Sequence, residues 1–253
     1  MNILVCVKRV PLTGGRIVLT PDERAIETRH LGFAISPHEE CAAEEAVRLV
    51  EAHGGSSTVL TLGPAAAEEQ LRDVMAIGVD RALHLIADEG ERDPQTTAAA
   101  IADSVRGQAE PYDLLLFGNE SADAGNYQVA IRVAYALGLP CVTGVKAIAV
   151  QDGQLRCEQE VPGGRDVYVL PMPAVVTVKE GLNLPRYPSV PGRLRAKKKP
   201  VDAIDSAPRE PALEMVRLVL PPGAGKQAEV LGHGAEAAPG VVSKLRELGL
   251  VQQ

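Results

Sequence analysis

Tryptophan is absent from this 253-residue chain, and aromatic residues make up only 3% of it. Stacking platforms for single-stranded nucleic acid need aromatic faces, so that class of partner is disfavoured. The formal net charge of -7 points the same way, because duplex binding calls for a basic footprint. Cysteine is scarce: Cys6, Cys41, Cys141 and Cys157 form no CxxC pair and no Cys/His cluster. Zinc and iron–sulfur sites therefore have no support, and reduced buried thiols in a cytoplasmic protein are expected. The opening apolar run, Ile3 to Val7, is too short for a signal core or a membrane span, and no basic segment precedes it. No membrane insertion is expected. There is no GxSxG and no Cys/His nucleophile arrangement, and neither Gly14-Gly15 nor Gly163-Gly164 leads to the GK[ST] ending of a P-loop. The histidines (His30, His38, His53, His84, His233) are scattered, and none has a partner at a telling spacing. No catalytic set is recognisable.

What the chain does have is apolar content, 45% of residues, and a regular alternation of short apolar runs with helical patterns. Residues 2–7 read as a buried strand. Residues 11–35 lack periodicity and read as a long loop or small excursion. Ser36-Pro37-His38-Glu39 is a capping-box pattern with proline at the first helical position, and Ala42, Ala46, Leu49 and Val50 follow at helical spacing up to Gly54. Strands are expected at 57–62, 82–86 and 113–117. Between them lie helices carrying Leu71, Val74 and Met75, then Ile101 and Val105 after Asp93-Pro94. A further helix runs to Leu137, ended by Gly138 and Pro140. This alternation predicts an α/β fold: a mostly parallel, Rossmann-like sheet with helices on both faces.

Beyond Pro140 the pattern changes. Asp152-Gly153 signals a hairpin between 144–150 and 154–161, and Pro162-Gly163-Gly164 a further turn before Val167, Tyr168 and Val169. These, with Ala174 to Val178, read as an antiparallel extension of the sheet. From Leu182 to Gly192, three prolines in eleven residues argue against regular structure. A basic run, Arg193 to Lys199, follows, then a tail rich in Pro, Ala and Gly. The tail ends in a short amphipathic helix with Val242, Leu245 and Leu248 on one face and Gly249 as its stop. Two parts are expected: a nucleotide-binding domain over 1–192, and an extended arm over 193–253 that lies on a partner.

Three segments carry candidate chemistry. In an open parallel sheet, ligands sit beyond the carboxyl ends of the strands. The loop Gly118-Asn119-Glu120-Ser121-Ala122-Asp123-Ala124-Gly125-Asn126-Tyr127-Gln128-Val129 lies there and enters a helix, whose N-terminus suits a phosphate. An ordinary surface loop is the alternative. Ser36 to Glu39 either faces the same pocket or is only a helix cap. The stretch 182–199 is either a solvated basic surface or a stiff docking element carrying Tyr187 and Val190.

Taken together, these segments resemble the electron-transfer flavoprotein β-subunit family across most of the chain. The resemblance is carried by Val5 to Pro11, Ser36-Pro37 with Glu44 to Leu49, Leu62-Gly63-Pro64, Ala76 to Arg81 and the 118–129 loop. It is most specific in Leu170 to Val178, followed by Leu184-Pro185-Arg186-Tyr187-Pro188-Ser189 and Ala196 to Lys199. The resemblance implies a heterodimer with an α subunit, with FAD mainly on that subunit at the interface and a structural AMP in this one. The AMP pocket would fall on Cys6, Ser36, Pro37, His38, Glu39, Leu62 and Gly118 to Val129, with the phosphate near Tyr127, Gln128 and Val129. A docking loop over 186–195 would present Arg186, Tyr187, Val190, Pro191, Leu194 and Arg195 to flavin dehydrogenases such as the acyl-CoA dehydrogenases of fatty acid oxidation. A membrane quinone reductase would receive the electrons. Many relatives carry Leu where this chain has Val190, and aromatic residues near the flavin where it has Thr13 and His38. The alternatives are an FAD-binding β subunit of an NADH-dependent bifurcating flavoprotein and a stand-alone adenine-nucleotide sensor.

Overall fold

The computed structural model describes residues 1–14, 17–90, 92–207, 209–221 and 229–251. Gly15, the second glycine of Gly14-Gly15, and part of the Pro/Ala/Gly-rich tail lie outside the described residues. By its internal contacts the chain divides into Met1–Arg217 and Leu218–Gln253.

The first unit begins with β1 (Asn2–Cys6), followed by a small excursion closed by the two-residue strands β2 (Val10–Pro11) and β3 (Phe33–Ala34). Then come α1 (Pro37–His53), β4 (Ser56–Gly63), α2 (Glu68–Ile77), β5 (Arg81–Ile86), α3 (Pro94–Arg106), β6 (Leu114–Gly118) and α4 (Val129–Leu137). Local chemistry sets the helix boundaries. Ser36 and Asp93 stand at the N-caps of α1 and α3 with proline just inside, and the Asp93 carboxylate accepts from the Gln95 and Thr96 amides at 2.9 and 3.1 Å. Gly138, at φ +67°, ends α4 in the left-handed conformation that glycine tolerates best.

The later strands are β7 (Cys141–Gln151), β8 (Gln154–Val161), β9 (Gly164–Pro171), β10 (Ala174–Val178) and β11 (Val201–Asp205), with the short helix α5 (Val190–Ala196) before β11. One sheet of nine strands results, in the order β11-β5-β4-β1-β6-β10-β7-β8-β9. The central strands are parallel and covered on both faces, so they read as unbroken apolar runs. Along β1, Ile3 and Val5 point into a core with α1 and α2, while Leu4 and Cys6 point into a second core with α3 and α4. In the second unit, α6 (Ala238–Glu247) forms at the expected place, with Gly249 at φ +70° just beyond it.

Three expectations need correction. Ala174–Val178 is not part of the antiparallel extension: β10 lies inside the parallel sheet, paired parallel with β6 and with the start of β7. Only β8 and β9 continue antiparallel. The proline-rich stretch is not wholly irregular, because Pro191 sits in the first turn of α5, where its missing N–H costs nothing. The stretch read as an extended arm from residue 193 holds a sheet strand: Val201–Asp205 pairs in parallel with β5 at the sheet edge.

Candidate functional site

From β1 the chain builds outward to β4 and β5, then returns through α3 to place β6 on the other side of β1. The connections therefore reverse direction between β1 and β6, and a crevice opens beyond their carboxyl ends. A cleft of about 100 Å³ lies there, walled by Cys6, Val7 and Lys8 after β1, by Phe117 and Gly118 at the end of β6, and by Gln128, Val129 and Ala130 at the start of α4. A second hollow of about 360 Å³ adjoins it between Ser36, Pro37 and His38 at the head of α1 and Ala122 to Gly125 of the loop; the two share Glu120 and Ser121.

The two halves are laced together. The buried Ser36 hydroxyl accepts from the Ala122 amide at 2.8 Å. Glu39 accepts from the Ser36 amide at 2.9 Å, the reciprocal half of a capping box, and from the Lys8 amide at 3.0 Å. Gly118 is packed so tightly under α1 that a Cβ there would lie 2.7 Å from Glu39 Cγ and 3.1 Å from the Glu39 nitrogen. Asn119 is fixed from the sheet side: its Oδ1 accepts from the Thr177 hydroxyl at 2.8 Å, and its amide donates to the Val178 carbonyl at 2.9 Å. The loop then turns through two left-handed residues, Gly125 at φ +55° and Tyr127 at φ +57°. For tyrosine that conformation is strained, as at many ligand-holding loops.

The crevice is less acidic than its residue list suggests. Burial pushes the Glu39 carboxyl from its ordinary 4.5 up to about 8, outweighing the two amides that favour its ionised form. Burial alone would also raise Asp123, but Lys8 Nζ at 2.8 Å, together with hydrogen bonds from Ser121 and the Ala124 amide, outweighs it and holds that carboxyl below its ordinary range. The Glu120 carboxylate accepts from the Tyr127 hydroxyl and raises the phenol above its usual value. His38 Nε2 lies 3.9 Å from Glu120 Oε1, and its Nδ1 is buried without a hydrogen-bond partner among the described residues. The Cys6 thiol is pushed up by burial and by nearby Glu39, so it is an inert wall rather than a nucleophile.

Glu39 makes a pH prediction with a definite sign. Between about pH 4.5 and 8 the folded chain keeps a proton there that the unfolded chain has lost, so this group makes stability fall as pH rises through that window. Glu39→Gln should therefore flatten the decline in urea midpoint between those limits relative to the parent chain. Parallel slopes for the two proteins would contradict it.

The second candidate element runs from Leu184 to Leu194. Its base is braced against α1: Arg186 donates to Glu44 at 2.9 and 3.1 Å and to Glu51 at 2.7 and 3.0 Å, while Asn183 donates to the Cys41 carbonyl at 3.0 Å and to Glu45 at 2.9 Å. Above this base the apolar side chains point outward: Tyr187 is 96% exposed, Val190 73% and Leu194 58%. Ser189 caps α5 by accepting from the Gly192 amide at 3.1 Å.

These arrangements coincide with a family likeness. The family model described as "Electron transfer flavoprotein domain" matches residues 25–209. The chain is 34% identical over 255 residues to the electron transfer flavoprotein subunit beta of Bacillus subtilis (strain 168), covering 97% of this chain and 98% of that one. The chain belongs to the electron transfer flavoprotein β-subunit family. The human electron transfer flavoprotein subunit beta is 30% identical over 259 residues, with 99% of each chain covered, and that of Syntrophomonas wolfei is 34% identical over 249 residues, with 98% and 95% covered.

For this β-subunit family member, the structure brings nearly all the sequence-derived pocket residues to the two hollows. Leu62 is the exception: it stands one residue before the end of β4, packs against the α3/α4-side core and lines neither hollow. Of the residues expected to dock, Arg186 braces the segment against α1, and Tyr187, Val190, Pro191, Leu194 and Arg195 are exposed. Sequence reasoning missed Lys8, Thr177 and Glu44. Lys8 had a signal, a charge directly at the carboxyl end of a buried strand. Glu44 had none: it lies on the face of α1 opposite the apolar stripe, its pairing with Arg48 four residues on looks like an ordinary surface pair, and Arg186 covers it from far along the chain.

Proposed function

We propose that this chain is the AMP-holding half of a heterodimer with an FAD-carrying α subunit. The pair would pass electrons from flavin dehydrogenases, such as acyl-CoA dehydrogenases, to a membrane quinone reductase. The observation that carries the reading is the crevice at the reversal between β1 and β6, floored by Gly118 and facing the first amides of α4. Those amides have no carbonyl one turn back and point at whatever anion sits before them. The residues suit AMP in two further ways. Gly118 lets the head of α1 close on the end of β6 where a Cβ would collide with Glu39, and Glu39, largely protonated near neutrality, adds little repulsion toward a phosphate.

In this reading the chain's own residues bind and orient. Ser36, Glu39 and the 118–129 loop hold the nucleotide, the arm after residue 217 lies on the α subunit, and Tyr187, Val190 and Leu194 meet the dehydrogenase. FAD, when bound on the α subunit, supplies the electron-carrying ring. Denaturing the purified heterodimer and identifying what it releases tests the assignment: one FAD and one AMP are expected. Two FADs would favour the bifurcating, NADH-dependent alternative, and release of no nucleotide beyond a single FAD would overturn the AMP role.

The exposed tip gives a second expectation. Val190→Leu adds one methylene to a side chain that becomes buried only in the complex, about 0.8 kcal/mol. The dehydrogenase assay should show KM falling about threefold to fourfold with kcat unchanged, the signature of added uniform binding. An unchanged KM would place the anchor elsewhere.

A further inference from the structure

The docking segment is held at its start by Arg186, but its far end is held by a different device. α5 has only seven residues and buries only Gly192 and Ala196, so neither intrinsic helix stability nor apolar packing explains why it persists. Its trailing carbonyls supply the answer. Those of Ala196 and Lys199 both accept from Arg72 Nη1 on α2, each at 2.7 Å. Glu68, one turn earlier on α2, accepts from Arg72 Nε and Nη2 at 3.0 and 2.8 Å and fixes the guanidinium. The reverse contact is also made: Lys199 Nζ donates to the Met75 carbonyl at 3.3 Å and to the Val79 carbonyl at 2.5 Å, around the end of α2. Each cation thus binds carbonyls at or just beyond the other helix's carboxyl end, where positive charge is favoured. Arg193 pairs with Asp73 at 3.0 Å alongside, and a Cβ on Gly192 would come within 2.5 Å of the Ala76 carbonyl, so the two helices meet at backbone distance.

We infer that Arg72 and Lys199 form a reciprocal clasp that fixes α5 on α2 and thereby sets the pose in which Val190 and Leu194 meet a partner. Both are positioning residues, and the inference rests on the docking reading above. With the clasp open, α5 would have to be ordered at the moment of docking. That cost falls on association and not on the electron transfer that follows.

The test uses the α/β heterodimer with an acyl-CoA dehydrogenase of the same organism as electron donor. Arg72→Met and Lys199→Met remove the donors and keep the apolar stems. Each should raise KM about fivefold to tenfold while kcat stays within about twofold. Amide hydrogen exchange over 193–199 should quicken by about tenfold, with exchange in β1 and β6 unmoved. Arg72→Lys, which keeps the charge but cannot hold the two carbonyls and Glu68 from separate nitrogens, should fall between. If Arg72→Met folds poorly, Lys199→Met carries the test alone. Parental KM values in the clasp variants, or a loss of kcat with KM unmoved, would overturn the clasp. Val190→Asp separates the two readings. A raised KM there with parental KM in the clasp variants removes only the clasp, whereas an unmoved KM in Val190→Asp removes the docking role and the clasp's purpose with it.

Discussion

On the AMP reading proposed above, Gly118→Ala should give a heterodimer that folds but loses its adenine nucleotide during purification. The new methyl would stand 2.7 Å from Glu39 Cγ, 3.1 Å from the Glu39 nitrogen and 3.3 Å from His38 Cβ. None of these atoms yields cheaply. Glu39 Cγ is mid-chain in a side chain whose carboxylate is tied to two amides, and the nitrogen belongs to the first turn of α1. The head of α1 must therefore lift away from β6, stretching the bond between Ser36 and Ala122 that joins the two sides of the crevice. Overpacking of this kind costs about 1–3 kcal/mol. Felt at the nucleotide, about 1.4 kcal/mol is already tenfold in affinity. Nucleotide content per heterodimer is the measurement. A full complement of AMP with an unchanged urea midpoint would show that the crevice floor has slack that the packing denies.

Arg186→Ala should destabilise the fold and, on the docking reading, loosen docking. Glu44 is buried, with its side chain 2% exposed, and its charge is balanced by Arg186 and Arg48. Burial by itself would raise the Glu44 carboxyl, but hydrogen bonds from Arg186 and Arg48 outweigh it and hold the carboxyl below the ordinary range. Arg186 likewise holds Glu51 low. Removing the guanidinium leaves a buried carboxylate with one partner. Breaking a fully buried pair costs about 3–5 kcal/mol. Because the Arg186 side chain is 37% exposed, solvent screening brings the expectation down to about 2 kcal/mol. The sign with pH follows from lowered folded values: the stabilisation is complete above the ordinary 4.5 of these carboxyls and is lost as pH falls through their folded values. The gap in urea midpoint between parent and variant should thus be wide at pH 7 and shrink as pH falls below 4.5. A gap that persists in acid would mean that packing, not charge, holds the segment.

Much of the fold could be read from local signals. Capping residues, prolines at helix starts and glycines at helix ends marked α1, α3 and α4, and unbroken apolar runs marked the strands covered on both faces. Three features lay beyond that reach, each for its own reason. Val201–Asp205 presents almost nothing to a core, so β11 leaves no periodic trace; only its pairing with β5 makes it a strand. β10 is plainly a strand in sequence, but nothing local says that it returns past β8 and β9 to lie between β6 and β7. In α5, a tally of prolines obscured Ser189-Val190-Pro191, a cap followed by a proline in the first turn. The crevice was legible because strand, loop and helix start follow one another in sequence. Its lacing by Lys8 and Thr177, from segments far along the chain, was not.

Gly192 and Val190 sit two residues apart under opposite constraints. At Gly192 any side chain collides with the backbone of α2, whereas Val190 faces outward and touches little of its own chain. Substitutions at such exposed positions usually change stability by less than about 0.5 kcal/mol. On the docking reading, a lineage can therefore exchange the tip residue through single-codon steps, sampling new electron donors while the frame beneath stays as it is. Specificity can drift at one position without putting the molecule's integrity at risk.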